Sequence, residues 1–236
     1  MAEVLVITPV KDSIATTLET ATAINASTVA LNYTIYNDFS EEANRRTLEE
    51  NSPFIGYDLV NLEDITQTPS PNYRLILQLA QQQALEKNLP LLIIESDVVI
   101  KQDTVEHLMN FYKAHQQAGL VGAVTTDESG NVNFPYLKFR NNKTPIIQTH
   151  RSLSFCCTLM STSFLKKYDF NNLDASKDWF DTHISYKAIE LGFKNYLLMD
   201  VPVLHRPHGS RPWKSLKYKN PLKYYLNKFL YGKDKI

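Results

Sequence analysis

In the first half of the chain, short apolar runs alternate with stretches of helical spacing, a pattern that predicts parallel strands joined by crossover helices. Val4 to Pro9 reads as a first strand, with Val29 to Tyr36, Tyr57 to Leu62 and Leu89 to Ile94 as the second, third and fourth. Ser13 to Asn25 sets Ile14, Leu18, Ala21 and Ile24 at helix-compatible spacing, with Ser13 able to cap the helix. Pro71 to Asn88 carries Leu75, Ile76, Leu79 and Ala80 and stops at Asn88-Leu89-Pro90. A further helix starts at Asp103, with Glu106 completing a capping box and Val105, Leu108, Met109 and Tyr112 as its buried stripe, and ends at Gly119. Leu120 to Thr126 is a fifth strand, and the polar turn Asp127 to Asn131 leads into Val132 to Leu137.

The second half is more mixed. It predicts a strand from Leu153 to Met160, a short helix near Phe164, a helix from about Asp178 to Leu191 closed by Gly192, and a strand from Tyr196 to Leu204. Asn141 to Thr144 reads only as a loop, and no repeat or flexible linker divides the chain. With 236 residues, one large domain with a short tail is expected.

Charge and cysteine content narrow the function classes. The 25 basic and 25 acidic residues cancel, so the whole molecule has no strong electrostatic reason to seek nucleic acid. The opening MAEVLVITPV contains Glu3 and too short an apolar run for a signal peptide, and nowhere do about 18 apolar residues occur together. The expectation is a protein neither secreted nor membrane-spanning. Cys156 and Cys157, adjacent in an apolar run, are too few and too close for a disulfide framework or zinc site and read as reduced core residues, which suits a cytoplasm.

The fourth apolar run passes directly into Glu95-Ser96-Asp97. Ligands of open parallel sheets bind outside the carboxyl ends of the strands, and hard divalent cations that bridge phosphates take one or two protein carboxylates. The same spacing also suits a helix approach or a solvated turn. A second polar cluster, Asn37-Asp38-Phe39-Ser40, follows the second strand, where Asn37 and Asp38 can accept hydrogen bonds from a base or ribose, or simply build a turn.

Val4-Leu5-Val6-Ile7-Thr8-Pro9-Val10, then Asn37-Asp38, then Ile93-Ile94-Glu95-Ser96-Asp97, then Val121 to Val124 with Asp127 to Val132, resemble the family 2 glycosyltransferases of the GT-A fold. The similarity runs in order to about His208. It implies a mostly parallel α/β sheet with flanking helices and an inverting transfer of a sugar from a nucleotide-diphosphate donor to an acceptor hydroxyl. It places Thr8, Pro9 and Asp38 at the nucleotide, and Asp97 with Glu95 at a divalent cation (Mn2+ or Mg2+) and diphosphate. Glu95 departs from the family's first Asp, so Asp97 is the stronger ligand. Counting back from Gly192-Phe193 puts the catalytic base at Asp181, with Phe180 where the family has Glu; Asp178, on the same helical face, is the rival base. Both acids also suit the positive end of a helix without any catalytic role.

The family carries a His at the end of the last strand, which maps to His205, with His208 second; Arg206 and Arg211 are phosphate candidates. The resemblance divides residues 1–212 into a nucleotide-binding half, 1–126, and an acceptor-binding half, 127–212. Beyond it, residues 213–236 form a tail with seven lysines and the apolar positions Leu222, Leu226, Phe229 and Leu230, a pattern that suits either an interfacial helix or a stripe docked on the protein's own core. The first version would take the protein to the inner face of a membrane and suit a lipid-linked acceptor; the acceptor is expected to be a glycan or a lipid-linked one, in glycan or polysaccharide assembly. Two other readings stand beside this one. A nucleotidyltransferase shares the sheet and metal but normally shows a Gly-rich loop where Thr8 to Asp12 has none, and a non-catalytic nucleotide or sugar binder would account for Phe180.

Overall fold

The structure, a computed structural model, describes residues 3–176, 179–206, 220 and 222–226. Its first strand, β1 (Val4–Val10), is buried at every position but Pro9. Val4, Val6 and Val10 enter one apolar core and Leu5 and Ile7 another, because successive side chains of a strand point to opposite faces. A strand buried on both sides requires helices on both faces of its sheet.

The chain supplies them in order: α1 (Ile14–Asn25), β2 (Leu31–Asn37), α2 (Glu42–Ile55), β3 (Asp58–Asn61), α3 (Tyr73–Lys87), β4 (Leu91–Ile94), β5 (Val98–Val99), α4 (Thr104–Ala114), β6 (Ala118–Thr126), β7 (Ile146–Thr149), β8 (Cys157–Met160), α5 (Thr162–Lys167), α6 (Phe180–Glu190) and β9 (Lys194–His205). Ala21 and Ile24 of α1, Leu48 of α2 and Val105, Leu108 and Met109 of α4 fill one core. Ile76, Leu77 and Ala80 of α3, Phe164 of α5 and Ile184 and Ala188 of α6 fill the other.

The strands lie in the order β3-β2-β1-β4-β8-β6-β9-β5, with β7 on β9. β1 to β4, β6 and β9 run one way, and β5, β7 and β8 run the other. The fold is the expected α/β arrangement around a mostly parallel sheet. Its consequence is that the ends of β1, β2, β4, β6 and β9 and the start of antiparallel β8 all reach one edge.

Several local expectations change. α2 escapes the periodicity test because only Leu48 is buried along it; its polar surface is bound instead by the pairs Arg45–Glu49 (2.8 Å) and Arg46–Glu42 (2.9 Å). The capping box at Asp103 does not form: Thr104 Oγ1 accepts the Lys101 N–H (2.9 Å), and Glu106 accepts from Thr28 (3.0 Å). Ser13 stands at the start of α1 without a side-chain cap bond. Gly119 belongs to β6 rather than to a helix end, and the strand predicted from Leu153 is regular only from Cys157. β7 occupies a stretch with no strand expected, pairing Ile146 to Thr149 with Leu198 to Asn195. The predicted stops hold, with Asn88 left-handed after α3 (φ 52°) and Gly192 after α6 (φ 88°). No described helix is long and apolar enough to cross a membrane.

Candidate metal and nucleotide site

At the carboxyl edge, β4 ends in a turn in which the Val98 N–H donates to the Glu95 carbonyl (3.1 Å), and the chain reverses into β5. β5 pairs with the end of β9, Val98 opposite His205, and the Arg206 N–H donates to the Asp97 carbonyl (3.0 Å). This short ladder carries Asp97 to His205, whose Nε2 lies 3.6 Å from Asp97 Oδ2. On the other side of β4 the antiparallel register Ile94 opposite Cys157 continues by one residue, so that Glu95 meets Cys156, and the Glu95 N–H donates to the Cys156 carbonyl (3.1 Å).

Four donor groups from three chain segments thus converge. Cys156 Sγ donates to Glu95 Oε2 (3.2 Å) and stands 3.9 Å from His205 Nε2. Carboxylate, sulfur and imidazole atoms of Glu95, Cys156 and His205 all lie within 4.8 Å of one another. Ligands on metal bonds of about 2.0–2.3 Å stand about 3–4 Å apart, so separations of 3.2, 3.6 and 3.9 Å fit a shared cation.

The second ring nitrogen of His205 fixes its orientation. Nδ1 is 2.7 Å from the Phe134 carbonyl, an acceptor only, so Nδ1 carries a proton and Nε2 is the ring nitrogen that faces the cluster. Asn133 also donates to the His205 carbonyl (2.9 Å). Charge within the cluster is costly. Burial and then the charge of Asp97 push the Glu95 carboxyl up, against the opposing pull of Cys156 and His205, and Asp181 adds to the push. Burial and the neighbouring Glu95 hold the Cys156 thiol well above its ordinary range. For His205 burial opposes protonation, but Asp97 and Glu95 outweigh it and the net shift is upward. Protons and carboxylates compressed in this way are what a divalent cation would replace and neutralise.

Around the cluster the other sequence-predicted residues take distinct positions. Thr8 is fully buried, its hydroxyl accepting from Tyr33 (3.0 Å), and Pro9 follows at the strand end. Asp38 reaches the same edge and accepts from Ser70 (2.7 Å), the Asn72 N–H (2.8 Å) and the Asn72 side chain (2.8 Å), holding the loop before α3. Asn37 is turned to Asn61 (2.8 Å). Asp181 lies in the first turn of α6, half-buried, near enough to Glu95 and Tyr136 to raise both. Phe180 beside it is buried and stacks on Tyr73 (6.4 Å, 8°), which stacks in turn on Phe155 (6.4 Å, 15°). The position where the resemblance calls for Glu is therefore an apolar, ring-lined slot. Arg206 is drawn to Glu19 and Glu128 on the outside of the edge. Asp178, His208 and Arg211 lie outside the described residues, as does most of the tail.

Two groups are new relative to the sequence reading. Cys156 and Cys157 are both buried, free core thiols as expected, but the Cys156 sulfur also faces the polar cluster. Asp12, left-handed after β1 (φ 61°), accepts from the Glu41 N–H (2.7 Å) and Asn44 (3.1 Å), tying the loops after β1 and β2 together. The Glu41 bond holds its carboxyl below the usual carboxylate range.

No protein-family model matches the sequence, and no curated protein matches it. Solved structures do resemble the fold. A mannosyltransferase from Pyrobaculum calidifontis, PcManGT, solved with GDP-Man and Mn2+, has a TM-score of 0.64 at 14% identity over 96% of this chain and 64% of that one. S. aureus TarS has a TM-score of 0.65 at 16% identity over 86% of this chain and 60% of that one. GalNAc-T7, solved with UDP, GalNAc and Mn2+, has a TM-score of 0.65 at 13% identity over 90% of this chain and 46% of that one. This chain spans less than two thirds of the length of each of the three. The likeness establishes the architecture: a GT-A-type α/β fold, shared with proteins described as glycosyltransferases.

Proposed function

We propose that this protein is a metal-assisted glycosyltransferase that takes a sugar from a nucleotide-diphosphate donor and passes it, with inversion, to an acceptor hydroxyl. The observation that carries the reading is the convergence of Glu95, Asp97 and His205 at the carboxyl edge of a GT-A-type sheet, with Asp181 close enough to bias the charge of Glu95. The three structural relatives are described as binding GDP-Man, UDP or GalNAc, two with Mn2+, which supports a donor of the same chemical class.

In this reading Asp97, His205 and Glu95 would hold the cation. A bound divalent cation supplies positive charge to the departing diphosphate. Thr8, Pro9 and Asp38 border the nucleotide, and the loop that Asp38 holds forms one wall of its pocket. Asp181 accepts the proton of the acceptor hydroxyl as it attacks the anomeric carbon. It lies in the first turn of α6, close enough to Glu95 to act on its charge. Arg206, held by Glu19 and Glu128, is the phosphate candidate among the described residues. The acceptor is a glycan or lipid-linked glycan in polysaccharide assembly, with the basic tail against the cytoplasmic face of the membrane.

A panel of nucleotide sugars assayed for nucleoside diphosphate release, with and without Mn2+, tests this directly. Release from one donor that requires the cation is expected; inertness toward the whole panel, with no donor raising the melting temperature, contradicts it.

A further inference from the structure

The proposed reaction leaves the Cys156 thiol without a role, although its surroundings are unlike those of a core cysteine. Its sulfur is buried among a carboxylate (Glu95, 3.2 Å), a hydroxyl (Ser154, 3.3 Å) and an imidazole (His205, 3.9 Å). Cys157 next to it is also fully buried, on the strand position opposite Ile94. A thiol that served only to fill space would have no need of three polar partners.

We propose that Cys156 is a metal ligand, making the centre a mixed oxygen, nitrogen and sulfur site that prefers Zn2+ or Co2+ to Mg2+. This rests on the reading of the cluster as a metal centre and adds to it the cation the site selects. Its geometric basis is that sulfur, Nε2 and carboxylate oxygen already lie within 4.8 Å of one another, with Nε2 oriented by the Phe134 carbonyl. Magnesium takes oxygen ligands and tolerates little departure from octahedral geometry, whereas a thiolate beside an imidazole suits softer ions. On binding, the S–H proton passes to solvent, its hydrogen bond to Glu95 is given up, and sulfur and carboxylate both face the cation. Antiparallel β8 is what makes this ligand available: its first residues arrive at the edge where the parallel strands end.

Cobalt titration of the intact protein, followed by near-ultraviolet absorption and calorimetry, tests the assignment through a signal independent of turnover. Wild-type protein and Cys157→Ser should develop a thiolate-to-cobalt charge-transfer band, and Cys156→Ser should lack it. Co2+ affinity of Cys156→Ser should fall by about tenfold or more, with a smaller change for Mn2+, because only the softer ion gains from sulfur. The wild-type and Cys157→Ser spectra decide the matter even if Cys156→Ser does not fold. Cobalt bound without the band, and lost on Asp97→Ala, overturns the Cys156 assignment while the oxygen and nitrogen centre stands. Failure of any divalent cation to bind overturns both.

Discussion

His205 acts through two atoms with different duties: Nδ1 meets the Phe134 carbonyl at 2.7 Å, and Nε2 faces Asp97 at 3.6 Å. Such division orients the ring and would make the imidazole a preset ligand for a cation. Asp181, as the proposed base, has a different requirement, since in that role it must remain available to an incoming hydroxyl. Replacing it by Asn keeps its size but removes its capacity to take a proton. Asp181→Asn should therefore lower kcat by about a hundredfold or more while donor affinity stays near the wild-type value; steady-state kinetics with calorimetric donor binding checks both, and unchanged turnover removes Asp181 from the mechanism. Phe180 bears on the same helix start. Stacked on Tyr73 and enclosed by the second core, it fills by apolar contact a place where a carboxylate would need a polar partner. Glu95, Asp97 and His205 stand out in the sequence because each follows an apolar run, whereas Asp181 is marked only by its spacing to Gly192-Phe193. Cys156 does not stand out, because its apolar neighbours disguise it and only the reversed direction of β8 brings it to the cluster.

At the scale of elements, close packing decides what periodicity leaves open. Gly119 looked like a helix stop, yet it lies within β6, where an added Cβ would stand 2.7 Å from Phe193 Cβ and 3.1 Å from Ala188 Cβ. Glycine is needed there to let β6 pass the junction of α6 and β9. Gly119→Ala should destabilise the protein by about 1–3 kcal/mol, because both neighbours are Cβ atoms fixed to the backbone that cannot swing away. A lowered urea midpoint at unchanged m-value would agree with this, and an unaltered midpoint would show that α6 is free to shift. β1, β2, β4 and the helices α1 and α3 were readable because burial on one or both faces imposes a period. α2 was unreadable because ion pairs and one buried leucine leave no apolar stripe, and β5 and β7 because their partner is β9, far along the chain.

For the whole molecule, strand direction organises the chemistry. Among the described residues six strands share one direction, so loops distant in sequence open at one edge, and two of the reversed strands, β5 and β8, bring the turn that carries Asp97 and the segment that carries Cys156. The fold class was legible because strand and helix patterns alternate; the mixed second half was not, since no local signal states that β8 inserts between β4 and β6. The central claim is that this edge holds a divalent cation which in turn anchors a nucleoside diphosphate. Calorimetric titration of UDP and GDP into wild type, Asp97→Ala and His205→Ala, each with Mn2+ and with EDTA, measures it. Wild type should bind one of the two nucleotides at least about tenfold more tightly with Mn2+ than with EDTA, and both variants should lose that difference. Equal affinity in Mn2+ and EDTA, or a full Mn2+ effect surviving in both variants, would contradict it.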